Sequence, residues 1–110
     1  MDKINEYLKR TRNVYTFPDG TTYDIRRPRI VCKDGFSISV QAGEYHCCNP
    51  RINGADEYDM VELGFPSEED DLIADYTAWY DVDDPTEAVY PYVPIEIVNE
   101  LIEKHGGIAN

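Results

Sequence analysis

The run Phe36-Ser37-Ile38-Ser39-Val40 alternates apolar and hydroxyl side chains without a break, and a period of two is the signature of an extended strand. It predicts Phe36, Ile38 and Val40 on a core face, with Ser37, Ser39 and Gln41 on a polar one, the pattern of a half-buried antiparallel strand. Arg29-Ile30-Val31-Cys32 precedes it across Lys33-Asp34-Gly35, which makes a hairpin. Val14–Phe17 and Thr21–Ile25 flank Pro18-Asp19-Gly20 and read as another, because proline and glycine supply the backbone angles a tight turn requires. Tyr58–Phe65 predicts a further strand with Tyr58, Met60 and Leu63 inward, stopped by Pro66-Ser67, since proline cannot donate to a ladder. Ala88–Val93 reads as a last short strand.

Helices are expected near both ends. Asp2 is placed to cap a helix over Lys3–Arg12 whose Ile4, Tyr7 and Leu8 form a narrow apolar stripe, suited to the edge of a domain. Pro94 fits a first helical position, and Ile95, Val98, Leu101 and Ile102 make an amphipathic stripe that ends at Gly106-Gly107, a left-handed cap. Residues 42–57 read as a long loop. Ser67 with Asp70 resembles a capping pattern, and residues 69–80 fit either a short acidic helix or an extended aromatic-rich segment. The whole predicts one α+β domain over residues 1–110, an antiparallel sheet of hairpins with an N-terminal helix and a C-terminal amphipathic helix.

Charge divides along the chain. Residues 1–51 carry nine Lys/Arg against six Asp/Glu, a net of +3, while residues 52–110 carry sixteen acids against Lys104 alone, a net of −15, together the −12 of the chain. A field of that sign repels nucleic acid and anionic lipid surfaces and attracts basic proteins. No apolar run approaches membrane-spanning length and no signal-peptide core follows Met1, so a soluble, intracellular protein is expected. Three cysteines, an odd number with Cys47 and Cys48 adjacent, argue for reduced thiols rather than a disulfide scaffold.

Several chemistries are disfavoured by spacing. His46-Cys47-Cys48 with Cys32 lacks the interval that turns zinc ligands toward one centre. A histidine adjacent to a thiol is poorly placed as its base, and acidic surroundings oppose a thiolate. Counted from Asp81, an EF-hand would need Gly and Glu where Thr86 and Tyr92 stand. There is no P-loop and no G-x-G-x-x-G. Arg26, Arg27, Arg29 and Lys33 fit a charged edge strand that resists aggregation, or a contact to a phosphate. The expectation is therefore a protein that is not an enzyme and needs no cofactor or metal.

The densest feature is acidic. Asp56, Glu57, Asp59 and Glu62 lead into Glu68, Glu69, Asp70, Asp71 and Asp75, then Asp81, Asp83, Asp84 and Glu87, with Tyr76, Trp79 and Tyr80 interleaved. A folded carboxylate surface of this kind can occupy the Lys/Arg groove of a DNA-binding protein, with aromatic anchors adding contact area. The candidate partner-binding residues are Glu68, Glu69, Asp70, Asp71, Asp75, Tyr76, Trp79, Tyr80, Asp81, Asp83 and Asp84. The plainer reading is an acidic surface that keeps a small protein in solution.

Cys32-Lys33-Asp34-Gly35-Phe36-Ser37-Ile38-Ser39-Val40-Gln41-Ala42, Glu62–Glu68, Tyr92-Val93-Pro94 and Ile102–Gly107 together resemble a family of small, mostly uncharacterised proteins encoded by bacteriophages and prophages. The resemblance spans roughly residues 30–108, so residues 1–29 read as an N-terminal extension relative to that family. It carries no site residues. It implies a phage origin and expression in the cytoplasm of a bacterial host, and assigns no activity. The −15 half joined to that origin leads to the expectation of an accessory protein that binds and inhibits a host nucleic-acid-binding protein such as a nuclease or CRISPR effector. That is an anti-defence or anti-CRISPR inhibitor for which acidic DNA mimicry is one mode, by analogy with small acidic phage proteins. Alternatives are a small-ligand module for a nucleotide signal or metabolite, built on Arg26, Arg27, Arg29 and nearby tyrosines, and a structural or regulatory phage component that self-associates through its hairpins.

Overall fold

In a computed structural model that describes residues 2–78 and 83–110, the elements fall in the order α1 (Lys3–Arg10), β1 (Asn13–Thr16), β2 (Thr22–Ile25), β3 (Ile30–Val31), β4 (Ser37–Gln41), β5 (Met60–Gly64), β6 (Val89–Pro94) and α2 (Ile95–Lys104). Strands β3-β4-β5-β6 form one antiparallel sheet and β1-β2 a separate hairpin. The α+β class, the hairpins and both helices are as the sequence predicts. No helix among the described residues is long and apolar enough to cross a membrane.

Local chemistry explains the ends of these elements. The Asp2 carboxylate accepts from the Asn5 N–H at 2.8 Å and caps α1, while Thr11 Oγ1 donates to the Tyr7 carbonyl at its far end. In the first hairpin Gly20 sits at φ +89°, and the Asp19 carboxylate accepts from both the N–H and hydroxyl of Thr21. Helix α2 stops where Gly106 and Gly107 turn left-handed and donate back to the Glu103 and Ile102 carbonyls.

Three expectations about packing are corrected. Helix α1 is no edge element: Ile4, Tyr7 and Leu8 are fully buried, and its stripe joins the core formed by α2 and the sheet. Strand β4 is buried on both faces, since Ser39 and Gln41 are covered as well. The Gln41 amide accepts from the Arg27 N–H at 2.9 Å and donates to the Arg27 carbonyl at 2.8 Å, so the segment before β3 roofs what reads as a solvent face. In β5, Val61 and Leu63 point inward while Met60 is exposed. Tyr58 is buried, but from the loop before the strand. Val61 pairs with Val93 and Leu63 with Tyr90, so Pro91 and Tyr92 together oppose Glu62, a bulge that shifts the register.

The edge of the sheet at β3 is covered by the C-terminal tail. Ala109 N–H donates to the Val31 carbonyl, Val31 N–H to Asn110 Oδ1, and Asn110 Nδ2 to the Arg29 carbonyl. Backbone pairing, rather than basic charge, therefore protects this edge. Asn5 makes the matching tie on the other side: its buried amide accepts from the Tyr58 N–H at 2.8 Å and donates to the Tyr58 carbonyl at 3.1 Å and to Asp2. Asn5→Ala strands both backbone groups of Tyr58, and is expected to lower stability in urea denaturation by about 2–4 kcal/mol. A loss under about 1 kcal/mol would mean that water replaces the amide.

Candidate functional site

Gly64, the last residue of β5, pairs with Val89, the first of β6. The intervening 24 residues, 65–88, therefore leave and re-enter the sheet at one end. They contain nine carboxylates and no Lys or Arg, eight of them on described residues. The described parts of the segment are pinned at several points. Ser67 exchanges hydrogen bonds with Ser37 through its N–H and hydroxyl, Pro66, Ile73 and Ala88 are buried, and Ala78 N–H donates to the Val89 carbonyl.

Between these pins the chain makes turns and two short 3-10 segments, Ala74–Tyr76 and Pro85–Glu87. This differs from both the helix and the extended segment that the sequence allows, because Asp70 and Ile73 turn the chain before a full helical turn forms. Ser67 is also not a cap, as its hydroxyl serves β4. Asp70 instead closes a local turn ahead of the first segment, its Oδ1 accepting from the Leu72 N–H at 3.0 Å. Asp84 does the same for the second turn, accepting from the N–H and hydroxyl of Thr86.

Of the predicted partner-binding residues, Glu68, Glu69, Asp71, Asp75, Asp83 and Asp84 are exposed, and Glu87 joins them. The Tyr90 hydroxyl donates to the Pro85 carbonyl at 2.8 Å; burial raises its pKa, and the charges of Glu69 and Asp84 raise it further. Tyr76 is half-buried and packs against the core, so it forms a wall of the domain rather than a projecting anchor. Trp79, Tyr80 and Asp81 lie outside the described residues.

Asp70 is the correction within this set. Its side chain is buried between Lys104 Nζ at 3.0 Å and His105 Nε2 at 2.8 Å, and the other ring nitrogen of His105 meets Asp34 Oδ2 at 2.6 Å. Carboxylates on both nitrogens require an imidazolium donating twice. The Phe36 ring stacks on it with centroids 4.0 Å apart, an arrangement that favours a cation. Burial alone would keep His105 neutral, but its hydrogen bonds to Asp70 and Asp34 and their charge outweigh burial and lift the pKa above its ordinary 6.5. Burial likewise opposes the Asp70 charge, and the donors Leu72, His105 and Lys104 overcome it to hold the group below 3.8. Asp34 is held low by the Phe36 N–H, then by His105. Nothing in the local sequence marks Asp34, Lys104 and His105 as one cluster, since they lie up to 71 residues apart.

The cysteine region forms a separate cluster. Glu62 accepts from the Cys47 N–H at 3.1 Å and pairs with His46 Nδ1 at 3.1 Å. Burial raises the pKa of Cys32, Cys47 and Cys48, and a nearby carboxylate raises each further, which disfavours thiolates. Among the described residues, no group of three His, Cys, Asp or Glu side chains is arranged to hold a metal ion.

The His105 clamp has a pH signature. A raised histidine pKa stabilises fully below 6.5 and loses its contribution as pH rises through the lifted folded value. The lowered carboxylates stabilise above 3.8 and lose theirs as pH falls through their folded values. Between those bounds both contributions are complete. His105→Gln is expected to flatten the decline in melting temperature above pH 6.5, whereas an unchanged pH slope would exclude the clamp as its source. His105→Ala, which leaves Asp70 with fewer donors, is expected to cost about 3 kcal/mol in denaturant titrations.

No protein-family model, curated protein or solved structure matches this chain, so the phage resemblance rests on the sequence motifs that carry it.

Proposed function

We propose that this is a non-enzymatic binding protein whose 65–88 connection occupies the basic groove of a host nucleic-acid-binding protein, a nuclease or CRISPR effector, and thereby inhibits it. The observation that carries this reading is the seven exposed carboxylates in that connection, Glu68, Glu69, Asp71, Asp75, Asp83, Asp84 and Glu87, held at one end of the sheet with no cation among them. A groove lined by Lys and Arg to receive phosphates is complementary to such a surface, and complementary charge accelerates encounter as well as setting specificity. The pinned backbone supports the same reading, because a preformed surface loses less entropy on binding than a disordered acidic tail. Bacterial cytoplasm is the compartment this function requires.

The test uses the full chain and a variant with Glu69→Gln, Asp71→Asn, Asp75→Asn, Asp83→Asn and Asp84→Asn, leaving Asp70 in its clamp. Both are immobilised, exposed to lysate of a bacterial host and eluted by a salt gradient. The native chain is expected to retain a nucleic-acid-binding protein that elutes as salt rises and whose binding to DNA it blocks, and the variant to retain at least about tenfold less, as multiple charge contacts are lost. Equal retention by a variant of unchanged melting temperature would overturn the proposal.

A further inference from the structure

The basic half of the chain builds a cavity of its own. About 190 Å³ of space lies between α1 and the loop around residues 54–58, lined by Lys9, Arg12, Arg27, Gly54, Asp56 and Tyr58 among others. Arg27 is only 6 % exposed yet forms no ion pair with any described residue. Its Nε donates to the Leu8 carbonyl at 3.0 Å and its Nη1 to the Ala42 carbonyl at 2.8 Å. The remaining nitrogen, Nη2, has no hydrogen-bond partner among the described residues. No side-chain N or O atom of the described residues is both fully buried and unpartnered, so Nη2 keeps some access to open space, and Arg27 lines the cavity. A guanidinium this buried ordinarily has a carboxylate against it.

Two further cations face the same space. Arg12 grips Asp24 through Nε and Nη2 at 2.9 and 3.2 Å, which leaves Nη1 on the side of Gly54. A Cβ on Gly54 would sit 2.6 Å from that nitrogen, so glycine at this position lets the guanidinium lie flat on the loop. Lys9 is exposed, with no ion pair among the described residues. Three cations therefore line the cavity beside one lining carboxylate, Asp56, while Asp24 pairs with Arg12 from outside the lining.

We infer that this cavity binds a small multivalent oxyanion, the phosphate group, with Arg27 as its buried donor and Arg12 and Lys9 closing over it. Guanidinium groups match phosphate oxygens in both charge and geometry. The volume decides the size of the guest: it lies below the roughly 300–1,000 Å³ of sites that engulf a whole drug-sized ligand, so a phosphate enters and anything attached to it stays outside. The net charge of −12 works against indiscriminate anion binding, which makes a localised response diagnostic. This site is independent of the acidic connection. Of the arginine set Arg26, Arg27 and Arg29 considered from sequence, only Arg27 lines it.

The experiment is a titration of the isotope-labelled full chain with sodium phosphate, the ionic strength held constant with chloride, read by the amide resonances of Leu8, Gly54 and Ala55 and the Arg27 Nε–H. Saturable shifts confined to these groups are expected at millimolar phosphate. Lys9→Ala should weaken the binding and Asp56→Asn should tighten it, each by about three- to tenfold; both side chains are exposed, so the fold is preserved, and melting temperatures without phosphate check this. A parallel arm uses a nucleoside monophosphate: tighter binding at the same residues assigns the phosphate to a larger ligand, and equal binding assigns it to the free ion. Shifts that do not saturate, or that neither substitution changes, would overturn the proposal.

Discussion

The imidazolium of His105 stands where three distant pieces of chain meet. It extends from the C-terminal end of α2, meets Asp34 from the turn between β3 and β4, and meets Asp70 from the acidic connection between β5 and β6. Each contact is a charge-assisted hydrogen bond, the strong kind, and Phe36 covers the ring. The surrounding backbone follows the same junction, with Asp34 N–H donating to the His105 carbonyl and Lys33 N–H to that of Gly107. Without the clamp, the acidic connection would lose its only carboxylate whose charge is neutralised by a Lys or His among the described residues. What would remain are the ties at its two ends, such as Ser67 to Ser37 and Ala78 to Val89, and the apolar packing of Pro66, Ile73 and Ala88.

This junction settles a conflict built into the composition. Nine carboxylates in 24 residues repel one another, which favours an extended, solvated segment over a folded one. The chain resolves the conflict by burying one carboxylate with two cationic partners and placing apolar side chains, Ile73 above all, into the core nearby. The other described carboxylates then remain exposed on a backbone that is already fixed. A surface of this kind combines charge with order, and the order is what separates a binding surface from a solubilising tail.

What was legible in the sequence was local. Pro18-Asp19-Gly20 names its own turn, and the stripe from Ile95 to Ile102 with Gly106-Gly107 names a helix and its end, because every interaction involved lies within a few residues. Most of the failures share one cause. Gln41 reads as solvent-facing until Arg27, fourteen residues away, covers it. Met60 is different: it reads as inward by its apolar character, but the alternation of β5 that buries Val61 and Leu63 turns it outward. Asp70 is indistinguishable from Asp71 by sequence, yet one is clamped to residues 34 and 35 positions later and the other is exposed. The cavity at Arg27 is likewise invisible in sequence, since its cations come from α1 and from the segment before β3, and its glycine from the long loop.

The two halves of the chain also use their charges differently. In the basic half, Arg12 is spent on Asp24, Arg29 on Ser37 and the Phe65 carbonyl, Arg51 on the Glu44 carbonyl, and Arg10 lies over the Tyr7 ring. Arg27 is turned inward altogether. Five of the nine cations thus touch this chain's own groups, yet Arg10, Arg29 and Arg51 stay exposed with their charge intact, and of the five only Arg12 is balanced by a carboxylate among the described residues. The acidic half spends Asp70 internally and directs most of its remaining charge outward. The cation withdrawn from the surface is Arg27, recessed beside a cavity too small for anything but an ion or the end of a ligand. On the two proposed readings, the exposed acids face a large basic surface and the recessed guanidinium faces a small anion.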